Sequence, residues 1–485
     1  NAKGGDRLIQ VSSPVPGITG ETKVAFKPDV KAPAAIADAV RVIDAEAIRS
    51  FLAARPAITV AIGSEDQKRR ILPRFASGEI AGSMALTEPD SGSDLQSIML
   101  KAVQGSDGKW RLNGVKRFIT SGCEQLSLVM ARSEEGSSGG RGISLFIYER
   151  DDAMKIRRIE RKLGIRGSPT CELQFNNAEA ELLGQRRMGL VKYTMFLMNS
   201  ARLAIAAQAV GIAEAAYREA NAYARDRTQF KKAIQDIPAV YEMLANMRIN
   251  IEAARSLLYE TSVIVDIKEG IERKIERHPE KGADLKNDLS RYSKYAALFT
   301  PLVKRHAAEM ANKVCYDAIQ VHGGVGYTRE FDSERHYRDV RITSIYEGTS
   351  QLQVVAAVGG VVGGVVFERL NEYEHEHDFC AVKALFASAQ QLRARLEAAV
   401  SHIKEVSKPE FQEFHAERLV EMATDTIIAY LLCVDSLHSE RKSKLAHLFI
   451  SAAQRRVKAH LDFILSDDVS LIQCYGDIIK ADESL

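Results

Sequence analysis

"KWRLNGVKRFITS" (109–121) is built of aromatic and β-branched residues and interrupted by Asn113-Gly114, a pair that tolerates positive φ. Its composition predicts two strands joined by a hairpin turn at Asn113-Gly114. The same texture recurs on both sides. From Met84 to about residue 185, "SLVMARS", "GISLFIYER", "KIRRIERKLGI" and "CELQFNNAEA" are short segments of this type separated by Gly, Asn, Ser and Asp turns. This predicts a β domain of six or more strands, a barrel or a sandwich.

Outside that stretch the period changes to that of helices. "AAIADAVRVIDAEAIRSFLAARPAITVAI" and "SEDQKRRILPRFAS" precede it, the second opening on Ser64 as a cap before Glu65 and Asp66. Residues 1 to 34, rich in Gly, Pro and Ser, read as an extended arm. From about 187 to 365 three very long helices follow, with alanine on their apolar faces, the pattern of an antiparallel bundle. "KEGIERKIERHPEKGAD" (268–284) reads as an exposed helix end and loop, and "EYEHEHD" (372–378) as a solvated linker into about four more helices. The fold class is therefore α+β and multidomain. An N-terminal helical domain (1–83), a middle β-barrel or sandwich domain (84–186), a C-terminal four-helix bundle (187–366) and an appended helical domain (367–485) follow in order.

Composition excludes little. The chain has 485 residues, 46% apolar and 27% charged, and 66 Lys plus Arg nearly cancel 64 Asp plus Glu. Such a balance gives no sign of a nucleic-acid partner. The six cysteines are widely spaced and read as buried thiols of a reducing compartment, with no metal site expected. The longest apolar run, "VVAAVGGVVGGVVF" (354–367), is too short and glycine-rich to span a membrane, so no integral membrane segment is expected. The N-terminus has no apolar signal core. A bacterial cytoplasm or a mitochondrial matrix is the expected setting.

Five stretches can carry chemistry. "MALTEPDSGSD" (84–94) ends a strand in Thr87, Glu88 and Pro89 and turns through small polar residues, a geometry for an anion or the edge of a heterocycle, and equally that of a plain tight turn. "RFITSG" (117–122) sets an aromatic ring beside Thr120. "YARDRTQF" (223–230) offers Arg227 to a phosphate and Phe230 to a ring, or is a solvated charged face. "QVHGGVGYTRE" (320–330) has glycines that admit a ligand close to the backbone or simply end a helix. His322 within it reads as a packed residue. "RITSIYEGTS" (341–350) sets Glu347 between Tyr346 and Gly348.

Taken in order, these stretches resemble the acyl-CoA dehydrogenase family. "ALTEPDSGSD" is similar to its flavin and substrate signature, "RDRTQF" to its diphosphate arginine, and "QVHGGVGYTREF…ERHYRDVRITSIYEGTSQLQ" to its C-terminal signature. The family usually carries more chain before the TEP motif, so part of the early helical domain is expected to be missing from the sequence. The resemblance implies an FAD enzyme that oxidises a fatty acyl-CoA to the trans-2-enoyl-CoA and passes electrons to an electron-transferring flavoprotein. It implies Glu347 as the catalytic base, in an apolar pocket shielded by Tyr346, with Gly348 keeping the approach open. It further implies FAD contacts at Leu86, Thr87, Ser93, Phe118, Thr120, Arg227, Phe230, Gln320, Gly324, Thr349 and Gln351. Acyl-CoA contacts are implied at Ser93, Asn199, Arg202, Tyr346 and Gly348. Arg227 and Phe230 match residues that reach FAD from a neighbouring subunit, which implies at least a dimer. The added C-terminal helices favour a homodimer over a tetramer. An earlier base position, used by some members, is Ala201 here. Departures are Phe118 for tryptophan, Pro238 for glutamine, Lys231 for glycine and Asn199 for aspartate. An oxidase that gives electrons to O₂ is the alternative enzyme, and a low-turnover assembly or DNA-associated flavoprotein the alternative outside catalysis.

Overall fold

The computed structural model of the protein describes residues 62–480, and the arm and first helix expected before them lie outside the described residues. The first described long helix, α1 (Glu65–Ala76), starts at Ser64 with a reciprocal capping box to Gln67. Its buried Ile71 joins Leu126, Leu128, Ile143 and Leu145 in one apolar layer. Arg70 and Arg74 both pair with Glu149, fixing the helix against that strand end.

Seven strands follow: β1 (Gly82–Ala85), β2 (Lys101–Gln104), β3 (Trp110–Thr120), β4 (Leu126–Arg132), β5 (Ile143–Glu149), β6 (Met154–Ile159) and β7 (Thr170–Leu183). Pairing runs β4-β2-β3-β7-β5, and β5 pairs back to β4, so the sheet closes into a barrel. β1 adds parallel to β4, and β6 lies on β7. Trp110, Phe146, Tyr148 and Phe175 fill the interior, with Trp110 and Phe146 ring centroids 5.3 Å apart.

The hairpin turn expected at Asn113-Gly114 is not there. β3 runs through both residues, and the β2–β3 turn falls at Gly105–Gly108, where Gly108 has φ +78. Asn113-Gly114 instead sits opposite a bulge in β7, and the Asn113 side chain accepts from the N–H of Asn177, the extra residue at φ +55. Positive φ was the right inference for Gly114, at +144. An added side chain there would meet Leu100 at 2.9 Å, so close packing explains the glycine.

A π-helical turn (Gly189–Thr194) leads into α2 (Met195–Asp226). Then come a two-strand hairpin, β8 (Thr228–Gln229) and β9 (Lys232–Ala233), α3 (Pro238–Arg277) and α4 (Gly282–His322). Ala206, Ala209, Ala213, Ala216, Ala220 and Ala224 are fully buried at helical spacing, which lets α2 lie close to its neighbours. Pro238 opens α3, where a missing N–H costs nothing. The charged stretch 268–284 is mostly helix, since α3 runs to Arg277 and α4 begins at Gly282.

After α4 come α5 (Ser333–Val340), α6 (Ser350–Val362) and α7 (Val365–Glu376). The axes of α6 and α7 bend by 65° at the Gly363-Gly364 break, and among the described residues no single helix is long and apolar enough to cross a membrane. The appended helices are α8 (Lys383–Val406), α9 (Pro409–Ser436), α10 (Glu440–Leu465) and α11 (Ser470–Lys480). "EYEHEHD" is not a solvated linker. Through Glu376 it is the end of α7, with Tyr373 buried and donating to Glu260 of α3 at 2.6 Å, while Glu374 accepts from Tyr430 of α9 at 2.6 Å. Its alternating acids look solvated in one dimension; folded, they join the bundle to the appended helices.

The cysteines also depart from the expectation. Cys380 and Cys474 are exposed and Cys123 is half-buried. Burial and the adjacent Cys123 push the Cys171 thiol up to about 11, so two residues far apart in sequence meet at the end of β3. Among the described residues no group of three or more His, Cys, Asp or Glu could hold a metal ion.

Candidate functional site

The turn between α5 and α6 has a constrained backbone. Glu347 lies at φ +54 and Gly348 at φ +86, two left-handed residues in succession. A non-glycine residue in that region costs about 1–2 kcal/mol, so the surroundings must hold it. They do so from three sides. Thr349 caps α6 by accepting from the Leu352 N–H at 3.3 Å. Gln353, one turn into α6, donates to the Gly348 carbonyl at 2.9 Å and the Glu347 carbonyl at 3.3 Å. Lys304 of α4 donates to the Gly348 carbonyl at 2.7 Å. A side chain on Gly348 would meet the Gln353 amide nitrogen at 2.7 Å, which gives the glycine a second reason beyond its φ.

Arg202, on α2, comes to the same place, its guanidinium 3.9 Å from where a Gly348 side chain would begin. Burial lowers the proton affinity of Arg202 and the carboxylate of Glu347 raises it. Burial brings Lys304 down to about 8, opposed by Glu309 and Glu347 and reinforced by Arg202. Burial also pushes the Tyr346 phenol up, with the Glu347 charge adding to it, and the Tyr346 hydroxyl donates to the Gln208 side chain. The Glu347 carboxyl is half-buried and faces two cations, where an apolar pocket was expected. The Asn199 side chain lies outside what the structure describes, whereas Tyr346, Glu347, Gly348, Thr349 and Arg202 are brought together.

A second group gathers at one edge of the barrel. The Arg117 N–H donates to the Thr87 carbonyl at 2.9 Å, tying the turn after β1 to β3. β3 bulges between Lys116 and Ile119, and Phe118 stands in the bulge at φ +60 with about half its surface exposed. Thr87 and Thr120 are half-buried and Ser93 is exposed. Beneath them is a pair the sequence reading missed: fully buried Lys116 donates to the Leu86 carbonyl at 2.7 Å and to the Glu88 carboxylate at 2.8 Å. Glu88 in turn accepts from the Met99 and Leu100 N–H groups at 2.6 and 3.0 Å. The TEP glutamate therefore knits the turn and presents nothing to a ligand. A lysine among strand residues with β-branched neighbours was its only signal.

A third group lies at the far end of the bundle. Arg227 follows α2, and Phe230, 87% exposed, tips the β8–β9 hairpin with Lys231, both at positive φ. Gln320 and Gly324 are exposed at the end of α4. The two helix ends meet through Tyr223 and His322, whose rings stack at 4.6 Å, so His322 is a packed residue. Gln351 is exposed on the first turn of α6. The barrel and the bundle are joined where the Ile165 N–H donates to Asp339 at 2.6 Å and Arg338 donates to the Leu163 carbonyl at 3.1 Å, directly before the Glu347 turn. Lys304, Gln353 and Gln208 were also missed. Lys304 alone left a trace, a charge on the apolar face of "LFTPLVKRHAAEMA".

Family models match three stretches: the acyl-CoA dehydrogenase middle domain over residues 83–178, the acyl-CoA dehydrogenase C-terminal domain over 203–351, and the acyl-CoA dehydrogenase C terminal over 362–470. An acyl-CoA dehydrogenase of Bacillus subtilis is 38% identical over 306 residues, covering 62% of this chain and 74% of that protein. Among solved structures, butyryl-CoA dehydrogenase from Megasphaera elsdenii is similar with a TM-score of 0.55 at 33% identity, over 64% of this chain and 75% of that one. An acyl-CoA dehydrogenase complexed with FAD from Bacillus anthracis is similar with a TM-score of 0.71 over 87% of this chain and 75% of that one; at 24% identity this likeness is one of fold.

Proposed function

The chain belongs to the acyl-CoA dehydrogenase family, and from that premise we propose that it oxidises the α,β-bond of a fatty acyl-CoA with Glu347 as the base. The observation that carries the reading is the Glu347–Gly348 turn, held left-handed at the start of α6 by donors from Gln353 and Lys304. The chain is an oxidoreductase acting on a CH–CH group, and its cofactor is FAD. The residues present fit that group. Phe118 offers an exposed ring beside Thr87 and Thr120, and an added side chain at Gly323 or Gly324 would meet nothing within 4 Å, leaving open backbone beside Arg227's helix end. Leu86, Thr87, Ser93, Phe118 and Thr120 would hold the ring end, and Arg227, Phe230, Gln320, Gly324, Thr349 and Gln351 the rest. The cofactor supplies the acceptor for the hydride leaving the β-carbon.

This chain's own residues manage the proton. Glu347 takes it from the carbon beside the thioester carbonyl, the usual work of a positioned carboxylate. The positive charges of Arg202 and Lys304 favour the ionised form that abstraction requires. Tyr346, anchored to Gln208, walls the pocket and limits water. Electrons leave to an electron-transferring flavoprotein, and the active particle is a homodimer in which Arg227 and Phe230 reach the partner's cofactor. The reaction belongs to fatty acid β-oxidation in a cytosolic or matrix compartment. Anaerobic titration of the yellow protein with acyl-CoAs of graded length tests this. Bleaching of the flavin band by at least one chain length is expected; no bleaching by any would overturn it.

A further inference from the structure

We propose that Lys304 is a positioning residue for proton abstraction, holding the turn that carries Glu347 through the Gly348 carbonyl. The inference rests on the reading of Glu347 as the base. Lys304 is completely buried in α4, among apolar residues that pack the bundle. An ammonium in such a place is costly unless its protons are used. Here one of them reaches the Gly348 carbonyl at 2.7 Å, the oxygen that Gln353 also engages at 2.9 Å. Two donors from two helices thus converge on one carbonyl, directly after a glutamate held at φ +54. Gln353 belongs to the helix that the turn itself begins, so it moves with the turn. Lys304 is a donor from outside the turn and ties its carbonyl to α4.

Its charge has a second effect. The groups acting on this pocket are Arg202 from α2, Lys304 and Glu309 from α4, and Tyr346 beside Glu347. Glu309 also accepts from Ser350, on the first turn of α6. Burial brings Lys304 only to about 8, so it carries its proton at neutral pH and its positive charge bears on the Glu347 carboxylate. A purely structural role would be served better by an apolar residue of the same length. The lysine therefore trades stability for a placed and ionised base.

The test compares flavin-loaded wild type, Lys304→Met and Lys304→Gln. Met removes the charge and the donor in similar volume, while Gln keeps an N–H donor without the charge. Lys304→Met is expected to melt at or above the wild-type temperature, yet to bleach flavin with acyl-CoA about ten- to a hundredfold more slowly. Hydrogen exchange at the amides of residues 346–351 is expected to quicken in it. In both variants the acidic limb of the rate profile should move up by about one pH unit, since the base loses a neighbouring cation. A Lys304→Met protein with wild-type rate, pH limb and exchange overturns the inference alone. A variant that melts lower, with slower rate but unmoved pH limb, assigns Lys304 to packing and overturns it too. Wild type that never bleaches overturns the reading of Glu347 and this inference with it.

Discussion

At the scale of single residues, the candidate site turns on two left-handed positions side by side, Glu347 and Gly348. Gly348 at φ +86 has no room for a side chain, because one would press on the Gln353 amide at 2.7 Å. Gly348→Ala is therefore expected to lower stability by about 1–2 kcal/mol and to slow turnover more than that, about ten- to a hundredfold, by displacing the base. Thermal melting and steady-state rates on the same preparation check both. The glutamate and the glycine were legible in "IYEGTS". The donors that hold them were not, because Lys304 and Gln353 reach the turn through tertiary contact, and only Lys304 broke a local pattern. The glutamate of "LTEPD" shows the converse. It stands in a motif that reads as ligand-facing, yet its carboxylate is spent on Lys116 and two backbone N–H groups inside the barrel wall.

At the scale of elements, sequence periodicity located the barrel, the long helices and the Ser64 cap, because each of these is set by local pattern. It failed where pairing decides. Asn113-Gly114 has hairpin chemistry, but Trp110–Thr120 pairs continuously with β7, and the positive φ serves a bulge. "EYEHEHD" has linker chemistry, but Arg369 draws Glu260 and Glu372 to 2.9 and 2.7 Å and stacks 4.1 Å over Tyr373. Arg369→Met would strip Glu260 of its cation in a largely buried site, and a loss of about 3 kcal/mol in chemical denaturation is expected. A loss below measurement would show that α7 is not a joint. In α9, His415 is wholly buried against the rings of Phe411, Phe414 and Phe463. Burial, aided by Arg418 and His402 and opposed by Asp467, brings it from 6.5 down to about 4. A depressed folded-state value means stability that is present above pH 6.5 and lost as the pH falls toward 4. His415→Leu should flatten that slope by up to about 3 kcal/mol, read from denaturation midpoints across the window.

At the scale of the whole molecule, a barrel edge bearing Thr87, Phe118 and Thr120 and a bundle turn bearing Glu347 are held together by the seam of Leu163 and Ile165 with Arg338 and Asp339. Under the proposed function, the barrel edge would hold the acceptor and the bundle turn the base. The appended helices pack on the bundle, α9 against α6 itself, with Arg305, next to Lys304 on α4, donating to Glu417 and Glu421 of α9 at 2.6 and 2.7 Å. Glu347→Gln tests the assignment most directly, since it keeps the shape of the turn and removes the base. In anaerobic rapid mixing of the flavin-loaded protein with the best acyl-CoA, the variant should still bind both ligands and should bleach about 10²–10⁴-fold more slowly than wild type. A variant that binds both ligands and bleaches at the wild-type rate would contradict the assignment.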